Sequence, residues 1–213
     1  EALFLLERLR TQLGGVGTFT VTRGEEAVLP GAPDLALRAE RAANATGARA
    51  LGFAEVPALD AVLQSGDALL VVGDALDAVP ADVLARAATL VYVGTTLPAV
   101  AEARAAVVLP VANTMEEEGT LTNLRGRVQR YLQARTAPGV ARPTWYVLAD
   151  LLSACGGAGQ FFLPSEVFAA LTQVHAAFSG LDYESLGLQG LPMTAPSGRG
   201  SAPADAGTSG VTA

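Results

Sequence analysis

Apolar positions along this chain fall into two clear patterns and one weaker one. Over residues 2–13, Leu3, Leu6, Leu9 and Leu13 recur at helical spacing and Gly14-Gly15 ends the run, which predicts an amphipathic helix. From Asp67 the pattern becomes strand-length apolar runs at residues 68–72, 90–93 and 106–109. Helical stretches lie between them, near residues 80–88 and from Thr95-Thr96-Leu97-Pro98 to about Arg104. Such alternation predicts βαβ units, hence an α/β fold: a Rossmann-like parallel sheet with helices on both faces. C-terminal helices follow. Residues 127–133 fit extended chain better than helix. Residues 144–155 predict a helix opened by Arg142-Pro143 and closed by Gly156-Gly157. Another over 164–178 carries Val167, Phe168, Leu171, Val174 and Phe178 on one face and is closed by Gly180.

The first third is patterned more weakly. Residues 18–22 suit a short strand, 24–33 carry several turn residues, and Asp34 is a candidate cap for a helix through Leu35, Leu37, Ala42 and Ala43 to Gly47. A weak strand at 50–53 and a short helix at 57–64 complete it. The chain divides into one domain over residues 1–193 and a flexible tail over 194–213, which is Ala, Gly, Ser, Thr and Pro with almost no large apolar residue. Its start at Glu1, in an amphipathic helix with no leader features, predicts a fragment of a longer polypeptide.

Half of the 213 residues are apolar, enough for a substantial core. No apolar run reaches the roughly 18–20 residues of a spanning helix, so no direct membrane insertion is expected. The net charge of −7 argues against nucleic acid as a partner, which calls for basic residues gathered on one face. All 14 basic residues are Arg; without Lys there is neither Schiff-base chemistry nor a P-loop lysine. Cys155, the single cysteine, suits a small buried hydrophobe and could not hold an iron–sulfur cluster alone. His175, the only histidine, lacks ligand-spaced neighbours and suits a packing or surface role, which removes a His-based triad and any zinc site. The Asn44-Ala45-Thr46 sequon is expected to be a coincidence inside a helix.

Three stretches carry candidate chemistry. Gly73-Asp74 follows a strand, where a dinucleotide fold places its phosphate loop, but G-x-G-x-x-G is absent and Asp74 and Asp77 suit turn and cap roles. Glu116, Glu117 and Glu118 are consecutive, so they cannot converge on one metal as helix neighbours could; they predict a solvated face or pairing with some of Arg125, Arg127 and Arg130. Residues 119–129 hold the short hydrogen-bonding side chains of Thr120, Thr122 and Asn123. Gly119 and Gly126 there allow positive φ, and Arg125 and Arg127 can grip carboxylates or phosphates. The first expectation is a structural clasp of side-chain to backbone bonds; the other is contact with a phosphate-bearing cofactor.

Taken together, Val107-Val108-Leu109-Pro110, the acidic run, Gly119-Thr120, Thr122-Asn123 and Gly126-Arg127-Val128-Gln129 resemble a signature of the molybdopterin oxidoreductase superfamily. The closest resemblance is to the large iron–sulfur subunit of bacterial NADH:quinone oxidoreductase (complex I). The likeness runs, with gaps, from Asp67 through Ala141-Arg142-Pro143-Thr144-Trp145 to Gly187-Leu188-Gln189-Gly190-Leu191-Pro192, where Gly190-Leu191 replaces a usual aromatic. In catalytic members the resemblance implies molybdenum or tungsten between two pterin dinucleotides, one gripped partly by a C-terminal β-barrel domain. Here only a low-complexity stretch follows Met193. The resemblance therefore implies a cofactor-free structural domain supporting electron transfer from NADH to quinone, non-catalytic alone, with iron–sulfur clusters elsewhere in the parent subunit. It also implies other complex I peripheral-arm subunits as partners and a peripheral place on the cytoplasmic side of the cell membrane. Thr120, Thr122, Asn123 and Arg127 would be vestigial cofactor contacts. Two alternatives stay open: a piece of a catalytic molybdopterin oxidoreductase of the formate dehydrogenase type, with those four residues lining the cofactor site, and a nucleotide-binding module.

Overall fold

In a computed structural model that describes residues 1–73, 76 and 79–194, the three apolar runs form one parallel sheet. Strands β5 (Ala68–Val72), β6 (Thr89–Gly94) and β7 (Val107–Pro110) pair in chain order, with α3 (Ala81–Leu84) and α4 (Ala99–Arg104) as crossovers. Alternate side chains of a strand face opposite ways, so consecutive apolar residues bury both faces. Leu69 and Val71 pack with Leu76, Leu84, Leu90, Tyr92 and Ala101 on one side, while Leu70 and Val72 meet the larger core on the other. The α/β fold class is as predicted. Helix α3 is shorter than expected because backbone groups past Leu84 pair elsewhere: Ala88 N–H donates to Asp67 O at 2.8 Å and Arg86 O accepts from Gly66 at 2.8 Å, whereas α4 ends at Arg104 as expected.

The larger core joins α1 (Ala2–Leu13), α5 (Thr144–Ala154) and α6 (Pro164–Val174) through Phe4, Leu5, Leu9, Leu148, Leu152, Val167, Phe168 and Leu171. Each fully buried Leu contributes roughly 1.5–3 kcal/mol relative to exposure. The buried face of α1 is rotated from the expected stripe, with Phe4 and Leu5 inside and Leu13 exposed. Helix α6 ends at Val174, which is exposed; a 3-10 turn over Ala176–Phe178 then returns Phe178 to the core. His175 at that break stands edge-on to Phe4 and 3.9 Å from Glu7, a packing role. Cys155 is half-buried against the core. Among the described residues no helix is long and apolar enough to cross a membrane.

The first third corrects the sequence reading most. Residues 32–37 are a strand: β2 (Ala27–Leu29) and β3 (Ala32–Leu37) form a hairpin across Pro30-Gly31, with Gly31 at φ +78°, the turn chemistry that Pro-Gly supplies. Helix is confined to α2 (Ala45–Ala50), so the Asp34-capped helix does not form. The strand expected at 18–22 shrinks to β1 (Thr18–Phe19), and the one expected at 50–53 moves to β4 (Ala54–Glu55), its parallel partner. Residues 57–64 hold only a 3-10 turn, Leu59–Ala61. Glu40, Arg49, Glu55 and Arg23 form an ion-pair chain tying this region together, and its carboxylates hold the Arg49 guanidinium well above its usual pKa.

A second sheet places β8 (Gly119–Thr122) and β10 (Leu191–Pro192) antiparallel on either side of β9 (Arg127–Tyr131), which makes residues 127–131 extended as expected. The short helix α7 (Tyr183–Leu186), capped by Asp182 Oδ1 accepting Ser185 N–H at 2.7 Å, leads into β10. Asp74, Asp77 and tail residues 195–213 lie outside the described residues.

Candidate functional site

Each strand of the parallel sheet ends in small or polar residues. Val72-Gly73, Gly94-Thr95 and residues 111–114, together with Glu117 and Thr144, line a cleft of about 230 Å³. Ligands of open parallel sheets bind outside the carboxyl ends of the strands, and Gly73, at φ +116° with open space where a Cβ would stand, turns the chain away from that edge. Asn113 is held in its turn by accepting Met115 N–H at 2.9 Å, while its own N–H donates to Glu116 at 3.1 Å. The Glu117 carboxylate faces the α5 N-terminus, accepting Thr144 N–H at 2.6 Å. Burial pushes its pKa above the usual carboxylate range.

A larger cleft of about 380 Å³ opens between the α2 entry and the β8–β9 hairpin, lined by Arg38, Glu40, Asn44, Thr46, Thr122, Asn123 and Gln129 among others. Its walls are joined by the bond from Thr122 N–H to Asn44 Oδ1 at 2.8 Å. The hairpin tip is shaped by Asn123, whose Oδ1 accepts from Arg125 N at 2.9 Å and Arg127 N at 3.0 Å, and by Gly126 at φ +75°.

Of the four predicted contacts, Thr122 and Asn123 share this cleft and the other two do not. Thr120 N–H donates to Glu1 Oε2 at 2.9 Å, and Arg127 Nη1 to Gly190 O at 2.7 Å. The expected acidic pairing is corrected in two of three places. Glu118 meets Arg130 at 3.3 Å, but Glu116 is buried and pairs with Arg135, whose guanidinium holds it below the usual carboxylate range, and Glu117 accepts the Thr144 N–H in place of an Arg. Glu116 can turn inward because Arg135 and Asn113 N–H both satisfy it. The sequence did not single out Arg38, marked Asn44 only as part of a sequon, and read none of Thr95, Asn113 and Thr114 as site residues. For the last three the signal was available, since polar residues directly follow apolar runs.

The family model described as molybdopterin oxidoreductase matches residues 19–154. The chain is 39% identical over 87 residues to the F420-dependent formate dehydrogenase 2 subunit alpha of Methanococcus maripaludis, covering 40% of this chain and 13% of that protein. A putative formate dehydrogenase of Bacillus subtilis is 34% identical over 80 residues, covering 38% and 8%. The assimilatory nitrate reductase catalytic subunit of Bacillus subtilis is 36% identical over 90 residues, covering 39% and 13%. The chain thus spans about an eighth or less of the length of these curated relatives. These likenesses overturn the expected assignment to a cofactor-free complex I domain, since the relatives carry the names of formate dehydrogenases and a nitrate reductase. They also overturn the expectation of no cofactor, with iron–sulfur clusters only in the parent, because the family is named for its molybdopterin. That expectation leaned on how little follows Met193, and a stretch this small a part of its relatives carries no such weight. Matched across its parallel sheet, its β8–β9 hairpin and helix α5, the chain belongs to the molybdopterin oxidoreductase family.

Proposed function

We propose that this chain supplies part of the grip on a pterin dinucleotide cofactor in a molybdenum- or tungsten-dependent oxidoreductase of the formate dehydrogenase type. The observation that carries it is the cleft at the carboxyl ends of β5, β6 and β7, where parallel sheets hold dinucleotides. The residues fit such a group in a divided way. Asn113, Thr114 and Thr95 offer neutral donors and acceptors, suited to sugar hydroxyls and heterocycle edges. The half-buried Glu117 carboxyl accepts N–H or O–H donors and repels phosphate when ionised, so it belongs beside a sugar or ring rather than the diphosphate. Arg38 and Asn123 in the larger cleft provide the guanidinium and amide that an anionic portion needs, with the Glu40 carboxylate there already paired to Arg49.

The metal–pterin group, when bound, supplies the two-electron redox chemistry. This chain's residues bind and orient it: the fixed Asn113 and Asn123 turns place their polar groups in advance, and the apolar sheet beneath keeps water from the cleft floor. Among the described residues no group of His, Cys, Asp and Glu is placed to hold a metal ion, so a metal here is held through the pterin. Contact with further subunits and a peripheral place at a membrane surface are carried in the same proposal. The exposed apolar side chains of the β2–β3 hairpin support the first.

Elemental analysis by mass spectrometry of the full-length protein purified from its own host tests this reading. Near-stoichiometric molybdenum or tungsten is expected; iron with neither of them overturns it.

A further inference from the structure

Asn44 is the only residue other than glycine with positive φ among the described residues, at φ 63°. Side chains adopt this left-handed conformation at a cost, and such strain concentrates at functional sites. Helix α2 gives no local reason for it, since the Asn44 side chain caps none of that helix's amides. The side chain reaches instead to the β8–β9 hairpin, where its Oδ1 accepts the Thr122 N–H from 78 residues away. Gly47 makes room: a Cβ there would stand 2.3 Å from Asn44 Oδ1 and 3.2 Å from Thr122 Oγ1. Thr122 is only 3% exposed, so its amide is a buried donor whose acceptor comes from the opposite wall of the larger cleft.

We propose that Asn44 is a positioning residue for the ligand of this cleft. Its amide clamps the end of β8 and so fixes the distance between Thr46 and Arg38 on one wall and Asn123 and Gln129 on the other. The inference rests on the pterin reading and takes the cofactor as the ligand. Asn44 belongs to neither hydrophobic core, so loosening the clamp leaves the fold in place while the cleft loses its spacing.

The test uses the full-length protein purified from its host as wild type, Asn44→Gly and Asn44→Asp. Glycine keeps the left-handed backbone without strain and removes the acceptor; aspartate keeps the acceptor. Three quantities are read: molybdenum and tungsten per chain, Tm after the metal is removed, and hydrogen exchange of the peptide containing Thr122. Asn44→Gly is expected to lose at least fivefold in metal content and to speed exchange at Thr122, with Tm lowered by no more than the roughly 2–4 °C that one lost hydrogen bond accounts for; Asn44→Asp is expected to restore slow exchange at Thr122 without restoring metal, because its carboxylate repels the anionic portion. Full metal content in Asn44→Gly, a Tm fall beyond that of one hydrogen bond alongside metal loss, or fast exchange at Thr122 persisting in Asn44→Asp overturns the assignment and leaves Asn44 a structural clip. Wild type lacking both metals sinks the cofactor reading itself, a result distinct from these.

Discussion

Gly190 sits at φ +71°, and a Cβ there would stand 2.1 Å from the Val128 carbonyl oxygen. The sequence marked this position only as a departure from an aromatic; the close approach of β10 to β9 explains it. Gly190→Ala combines backbone strain with a collision against main chain, and is expected to cost about 3 kcal/mol, read as a lower Tm. An unchanged Tm would mean that this segment is not docked on β9. Glu117 yields a pH prediction. Burial raises its folded pKa, so the stability it contributes is fully present below its ordinary value and is lost as pH rises through the raised one. Glu117→Gln never ionises, so its Tm advantage over wild type is expected to widen as pH rises from about 4 to 7. A flat or narrowing difference counts against the half-buried setting described for this carboxyl.

The β8–β9 hairpin works as an element because its backbone N–H groups and one side chain bond outward to three separate segments: Thr120 N–H to Glu1, Thr122 N–H to Asn44 and the Arg127 guanidinium to Gly190. Arg127 was a candidate to grip a carboxylate or a phosphate, and its guanidinium donates to the Gly190 carbonyl. Removing it takes one hydrogen bond from a charged donor, so Arg127→Ala is expected to lose about 1 kcal/mol, or roughly 2–4 °C in Tm for a chain of this size. Local patterning is strongest for elements whose demands are local. The runs that became β5 and β6 were legible because strands buried on both faces need consecutive apolar residues. Residues 32–37 were misread because Leu35 and Leu37 fit a helix start as well as a strand, and the deciding signal, Pro30-Gly31, lies outside that window.

At the scale of the whole molecule, the β2–β3 hairpin leaves Val28, Leu29, Leu35 and Leu37 facing outward. Leu35 is 60% exposed, so Leu35→Gln is expected to change the stability of this chain by less than about 0.5 kcal/mol. A thermal melt showing a large loss would mean that the hairpin packs inward.

By itself the sequence determined the βαβ unit, the helices around Leu148 and Phe168, and the extended chain at 127–131. Each follows from the spacing of apolar residues along a few turns or one strand. It also carried the family resemblance in residues 107–129, though the finer assignment drawn from it was wrong. Only the tertiary structure decided which polar groups share a cleft, that Glu116 is buried against Arg135, and that Asn44 joins two walls. Asn44 and Thr122 are 78 residues apart and Arg127 and Gly190 are 63 apart. No local periodicity spans such distances; the packing of the sheets against the helices brings these groups together.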